Sequence, residues 1–239
     1  MIIFIMVWYV FQKIMNKTRS ILQYVSDLHI EKGFRRQINP SKPLLLLGGD
    51  IGHPNEISYK NFLLEMSSSF DKVFVVSGNH EFHDKRISFD NTELLIKNIC
   101  NMRNNLFYLQ KTKHLIDEKE NIYIAGCTLF SEFPLSKQHI HKDHSRWLND
   151  LVENDQKTKY VIASHHCPHI SLLSGGNYKF FNPKYFASDQ TKVFERDNVF
   201  MWIFGHSHHN IDVMMNNTLF TTNQYGKFKY PLSKYKKIN

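Results

Sequence analysis

The sequence predicts an α/β protein, and three observations carry the prediction. Seven short apolar runs have the length and the β-branched or aromatic content of buried strands, three helical stripes lie between them, and no repeat, low-complexity linker or Pro/Gly-rich hinge divides the chain. Alternation of this kind, read alone, points to one doubly wound sheet covered by helices. At 239 residues, 42% of them hydrophobic and 14% aromatic, the chain can bury a sizeable core.

The elements follow in order. The opening MIIFIMVWYVF is too short to span a bilayer, which takes about 20 apolar residues, and no basic residue precedes it as a secretory signal would require. It reads as an apolar leader or upstream extension over residues 1–14, with the domain over 15–239; a membrane-associating leader or an extra strand are the other readings. Strands are expected at Ile21 to Val25, Pro43 to Leu47, Val73 to Val76, Leu106 to Leu109, Ile122 to Ala125, Tyr160 to Ala163 and Val199 to Phe204. Helical spacing links Ile57, Phe62, Leu63, Met66 and Phe70, then Leu94, Leu95, Ile99 and Met102, then Ile140, His144, Trp147, Leu148, Leu151 and Val152. Asp212 to Met215, Asn216-Asn217 and Thr218 to Thr222 read as a hairpin.

Cys100, Cys127 and Cys167 are too few and too irregular for a disulfide framework or a thiolate zinc site, so a reducing, cytoplasmic setting is expected. The net charge of +8 is scattered apart from Lys227, Lys229, Lys234, Lys236 and Lys237, which read as a solvated basic tail. That surface tolerates any anionic substrate; nucleic acid is not specifically indicated.

Chemistry collects where the strands end. The first run is followed by Asp27-Leu-His29, the second by Gly48-Gly49-Asp50, the third by Gly78-Asn79-His80-Glu81, the sixth by His165-His166 and the seventh by Gly205-His206-Ser-His208. Loops at the carboxyl ends of strands in an α/β sheet converge on one edge. Three oxygen donors (Asp27, Asp50, Asn79) and four imidazoles (His29, His165, His206, His208) exceed what one ion takes. They suit two divalent ions with a bridging carboxylate, and nitrogen and oxygen ligation without thiolate favours Mn, Fe or Zn. The glycines before these residues answer to sharp turns or close backbone approach.

These blocks resemble the calcineurin-like metallophosphoesterase superfamily, whose pattern runs D-x-H, G-D, G-N-H-[DE], H and G-H-x-H. GCTLFSEF at 126–133, SHHCP at 164–168 and NQYG at 223–226 look like a subgroup of small predicted phosphoesterases within it. The resemblance implies a four-layer α/β/β/α sandwich with two central sheets in place of the single sheet. It also implies one metal on Asp27, His29, Asp50 and His208 and a second on Asp50, Asn79, His165 and His206, with His166 the alternative to His165. A metal-bridging hydroxide would attack the phosphorus of a small phosphate diester or monoester, and His80 would serve as general acid or transition-state stabiliser. A carboxylate usually orients such a histidine; Asp84 is a guess from proximity, and Glu81 points elsewhere if Asn79 and His80 share a tight turn.

Around this set, His53, His83, His166, His209 and Tyr225 are candidates for substrate or ligand-supporting contacts, as are Asn177, Tyr178 and Gly226. His139, His141 and His144 read as surface helix positions, with lining of the substrate mouth the other reading, and Cys167 as a buried neighbour. Gly49-Asp50-Ile-Gly-His-Pro-Asn departs from the G-D-x-V-D-R-G block of the protein phosphatases, and there is no room for the accessory domains of the repair nucleases. A non-catalytic scaffold on the same fold is the alternative from another class, but it usually loses the histidine and ligands that this chain keeps.

Overall fold

A computed structural model describes the chain over residues 2–33, 37–173 and 182–225, with side chains from residue 11 onward. Asn177, Tyr178, Gly226 and the lysine-rich end lie outside the described residues.

The apolar runs form strands whose alternate residues face opposite ways, and both faces are buried. Strands β1 (Leu22–Val25), β2 (Leu44–Gly48), β3 (Lys72–Val76) and β4 (Leu106–Tyr108) pair in that order as a parallel sheet. The second sheet is built from β5 (Thr112–Asp117), β6 (Ile122–Cys127), β7 (Lys159–Ser164), β8 (Val199–Ile203), β9 (Asp212–Met215) and β10 (Thr218–Thr221), in the order β5-β6-β7-β8-β10-β9. Its middle is parallel, and β5 and β9 pair antiparallel to their neighbours at the two edges.

One face of each sheet packs on the other. Leu44, Leu46, Phe74 and Val76 meet Ile122, Ile124, Val161 and Ile203 in a shared core. The intervening residues point outward: Leu45, Leu47, Val73 and Val75 under helices α2 (Ile57–Ser69) and α3 (Phe89–Cys100), and Tyr160, Ile162 and Trp202 under α4 (Gln138–Asn154) and α5 (Thr191–Phe194). This is the four-layer α/β/β/α sandwich, and the single doubly wound sheet suggested by alternation is corrected to two. The reason is physical: alternation reports that a strand is followed by a helix, whereas sheet membership depends on pairings distant in sequence.

The N-terminal segment forms helix α1 (Ile2–Ile21) and not an extra strand. Phe11, Ile14, Met15 and Thr18, spaced by three and four residues, turn one face inward, and Ile14 and Met15 join the inter-sheet core. Position 15 thus falls inside a helix. Among the described residues no helix is long and apolar enough to cross a membrane.

Candidate metal centre

The site forms where the strand ends of both sheets meet. Across this junction Ser26 N donates to Asn223 O at 3.1 Å and Tyr225 N to Ser26 O at 3.1 Å. Within each sheet the loops are tied to one another: Asp27 N donates to Gly49 O and His29 N to Asp50 O, both at 3.0 Å, and Gly205 N donates to His165 O at 2.9 Å.

Five of the seven expected ligands hold left-handed backbone, with φ of 58° at Asp27, 49° at His29, 51° at Asp50, 64° at His206 and 50° at His208. Each such residue costs roughly 1 kcal/mol or more, which the surrounding structure must offset. Two glycines make the packing feasible. Gly49 has φ 89°, and a Cβ on Gly78 would lie 2.2 Å from Asp50 Oδ1. Glu81 is buried and accepts from the backbone of Asp50 (3.1 Å), Ile51 (2.8 Å) and Gly78 (2.7 Å), so it organises two loops and does not face His80. Burial, then the Asp50 charge, push its carboxyl up to about 7.

Three overlapping groups of side chains converge here: Asp27, His29 and His208; His29, Asp50 and His80; and Asp50, His165 and His206. Within each, the ligand atoms lie within 4.8 Å of one another. Asn79 joins the third, its Oδ1 3.2 Å from His165 Nε2. The outer hydrogen bonds fix the tautomers, because a carbonyl only accepts. His165 Nδ1 donates to Gly48 O at 2.9 Å, which leaves Nε2 facing Asp50 Oδ1 at 3.3 Å and Asn79 Oδ1. Likewise His206 Nε2 donates to Tyr185 O at 3.3 Å, which leaves Nδ1.

Acceptors aimed at one another repel unless a positive species stands between them. In the bare chain a proton does so: burial opposes charge on His165, but Asp50 outweighs it and lifts that ring to about 9. Asp50, despite complete burial, is held well below the usual carboxylate range by His165. Burial, then His165, push His206 down to about 3. The buried Nε2 of His29, 3.9 Å from Asp50 Oδ2, has no hydrogen-bond partner among the described residues. A divalent cation fits this donor set.

His80 lies at the edge of the cluster, its backbone N donating to Asp50 Oδ1 at 2.8 Å and its Nε2 3.9 Å from Asp50 Oδ2. Its carboxylate partner is Glu31. One oxygen, Oε1, stands 3.4 Å from His80 Nδ1 and 3.0 Å from His29 Nδ1. Burial works against charge on His80, but the Glu31 hydrogen bond and then Asp50 raise its pKa. Burial also opposes charge on Glu31, yet its bonds to His29 and then His80 hold it well below the usual range. Asp84 instead pairs with Arg86 and Asn55 at the surface.

Glu31 escaped the sequence reading because it follows the Asp27-Leu-His29 block on a one-turn 3-10 helix, Ile30–Lys32, where a charged residue resembles solvated surface. Gln224 escaped too. Buried in the NQYG stretch, it accepts from His208 N at 2.6 Å and donates to Ser207 Oγ and His209 O, so it orders the loop that carries His206 and His208.

The remaining candidates separate. His166 is fully buried, its ring 4.1 Å from that of His206, and burial holds its pKa well below the ordinary value. His53 meets Glu56 at 3.3 Å at the start of α2. His209 contributes its backbone carbonyl to Gln224, and Tyr225 packs against the apolar layer under α2. His141 and His144 are buried, not at the surface as expected, and bond to the backbone of Leu129 and Phe130. Cys167 is buried, and burial pushes its thiol up to about 12, which suits packing and not nucleophilic attack.

The family model of the calcineurin-like phosphoesterases matches residues 18–210. The uncharacterized protein L509 of Acanthamoeba polyphaga mimivirus is 29% identical over 259 residues, an alignment covering 86% of this chain and 91% of the viral protein. In fold, the chain is similar to the phosphopantetheinyl hydrolase PptH of Mycobacterium tuberculosis, with TM-score 0.69, 16% identity and coverage of 86% and 89%. It is also similar to a dimetal phosphatase from Danio rerio, with TM-score 0.55, 12% identity and coverage of 84% and 86%.

Proposed function

The chain belongs to the calcineurin-like phosphoesterase family, and from that premise we propose that it hydrolyses phosphate esters of small molecules, diesters or monoesters, at a centre of two divalent ions. Asp27, His29, Asp50 and His208 would hold one ion, Asp50, Asn79, His165 and His206 the other, with Mn, Fe or Zn suited to the nitrogen and oxygen donors. The observation that carries this reading is the convergence of side chains from five separate loops into overlapping clusters, with Asp50 between His29 and His165 and Asn79 against His165. Ions held there supply Lewis acidity, lowering the pKa of a water and neutralising charge on the phosphoryl group.

The chain's own residues supply the rest. Gly48 and Tyr185 carbonyls keep His165 and His206 in the tautomers that direct a lone pair inward. His80 stands on the open side of Asp50 with its Nδ1 toward Glu31, so its Nε2 is the atom that would give a proton to the departing alkoxide. Glu31 stabilises the charged ring that this role requires.

The test is metal content together with hydrolysis of bis(4-nitrophenyl) phosphate and 4-nitrophenyl phosphate, with and without added Mn²⁺. The expected result is about two ions per chain and turnover that EDTA abolishes and Mn²⁺ restores. A folded, metal-loaded protein inert on both ester classes would overturn the enzyme and leave a scaffold on the same fold.

A further inference from the structure

Beside the metal centre lies a cavity of about 450 Å³, inside the range of about 300–1,000 Å³ that holds small ligands. It shares Asn79 and His206 with the centre, and most of its remaining wall is aromatic: Phe82, Phe130, Phe133, Tyr185 and Phe186. The Phe186 ring lies 5.2 Å from that of His206, and the Phe133 and Tyr185 rings lie 5.7 Å from each other.

One wall is held in place at a cost. Leu129 and Phe130 have φ of 65° and 27°, backbone that branched and bulky residues rarely adopt. Two buried histidines brace it. His141 Nδ1 donates to the carbonyls of Leu129 (3.1 Å) and Phe130 (2.8 Å), and Leu129 N donates to His144 Nδ1 at 3.1 Å. The brace turns the Phe130 ring toward the cavity, where strained backbone and buried polar groups serve a ligand better than they serve packing.

Lys137 completes the wall. Its Nζ lies 4.8 Å from the Phe89 ring centre and 5.6 Å from that of Phe130, and it makes no ion pair among the described residues. An ammonium over aromatic faces, without a carboxylate, is a donor free to meet an acceptor atom on a ligand.

We propose that this cavity binds a planar heteroaromatic ring carried by the ester, stacked among Phe130, Phe133 and Tyr185, with Lys137 donating to an acceptor on the ring. The inference rests on the phosphoesterase reading only for placing the phosphate at the metal centre. A sugar phosphate or a phosphorylated serine would leave the aromatic wall uncovered.

The experiment is calorimetric binding to the Mn²⁺-loaded protein of AMP and of ribose 5-phosphate, in which an anomeric hydroxyl replaces the adenine base. Binding of AMP should be tighter by about tenfold or more, as expected for one stacked base. Phe133→Ala and Tyr185→Ala, checked for wild-type thermal stability, should each reduce that ratio to about threefold or less. Equal affinity for the two ligands, or a ratio untouched in both folded variants, overturns the assignment. Selective AMP binding by a protein that hydrolyses no ester would keep the ring site and end the hydrolase reading; ester hydrolysis with no preference for AMP would do the reverse.

Discussion

Glu31→Gln tests how the centre is held together. Both histidine contacts of Glu31 fall on the same oxygen, Oε1, while the buried Oε2 has no hydrogen-bond partner among the described residues. Glutamine can keep its carbonyl at Oε1, so both contacts survive in neutral form, and what is lost is the charge. A hydrogen bond to a charged group contributes about 1.5–3 kcal/mol and a neutral one about 0.5–1.5, so each contact should weaken by about 1–1.5 kcal/mol. The share at His29 belongs to metal affinity and the share at His80 to turnover. At saturating metal kcat should therefore fall by about tenfold, with KM little changed and the apparent metal affinity weakened by a similar factor. The assay is kcat and KM on bis(4-nitrophenyl) phosphate across a Mn²⁺ titration, for Glu31→Gln, His80→Ala and the double variant. If Glu31 acts on turnover through His80, the double variant is no slower than His80→Ala at saturating metal. A kcat for Glu31→Gln within twofold of wild type, or a full additional loss in the double variant, would refute this role.

Three other outcomes are expected. His80→Ala should lower kcat by about 10²–10⁴-fold with metal content unchanged, measured by elemental analysis beside kinetics; loss of an ion would assign His80 to the metal instead. Asp50→Asn should weaken both ions together, and two full-occupancy ions with normal activity would contradict its bridging position. His144, buried and accepting from Leu129 N, is pushed by burial down to about 4. Between about pH 6.5 and 4 the unfolded chain takes up a proton that the folded chain refuses, so this contribution is complete above pH 6.5 and lost as pH falls toward 4. It amounts to about 3 kcal/mol in all. Urea midpoints from pH 4.5 to 7.5 should therefore fall less steeply for His144→Gln than for wild type, and parallel curves would show that His144 titrates normally.

The neighbours of each expected ligand show what is local and what is not. Asp27, Asp50, His165 and His206 were legible because a strand that ends in a tight loop places its chemistry within three residues of its last apolar side chain. The reach of the helical and strand patterns was similar, strand β5 and helix α1 being exceptions. Strand β5 has exposed or half-buried residues throughout and lacks an apolar run, so nothing in its composition announces a strand. Helix α1 hid within a continuous apolar stretch, where no periodicity separates helix from strand.

By itself the sequence determined which side chains stand at the strand ends and therefore what chemistry the chain can carry. Tertiary structure alone decided that Glu31 turns inward to His29 and His80, and that Phe130 and Tyr185, 55 positions apart, wall one cavity. The physical reason is range. Backbone pattern and turn chemistry act over a few residues, whereas the direction of a charged side chain on a short turn is set by the partners that packing delivers from elsewhere in the chain.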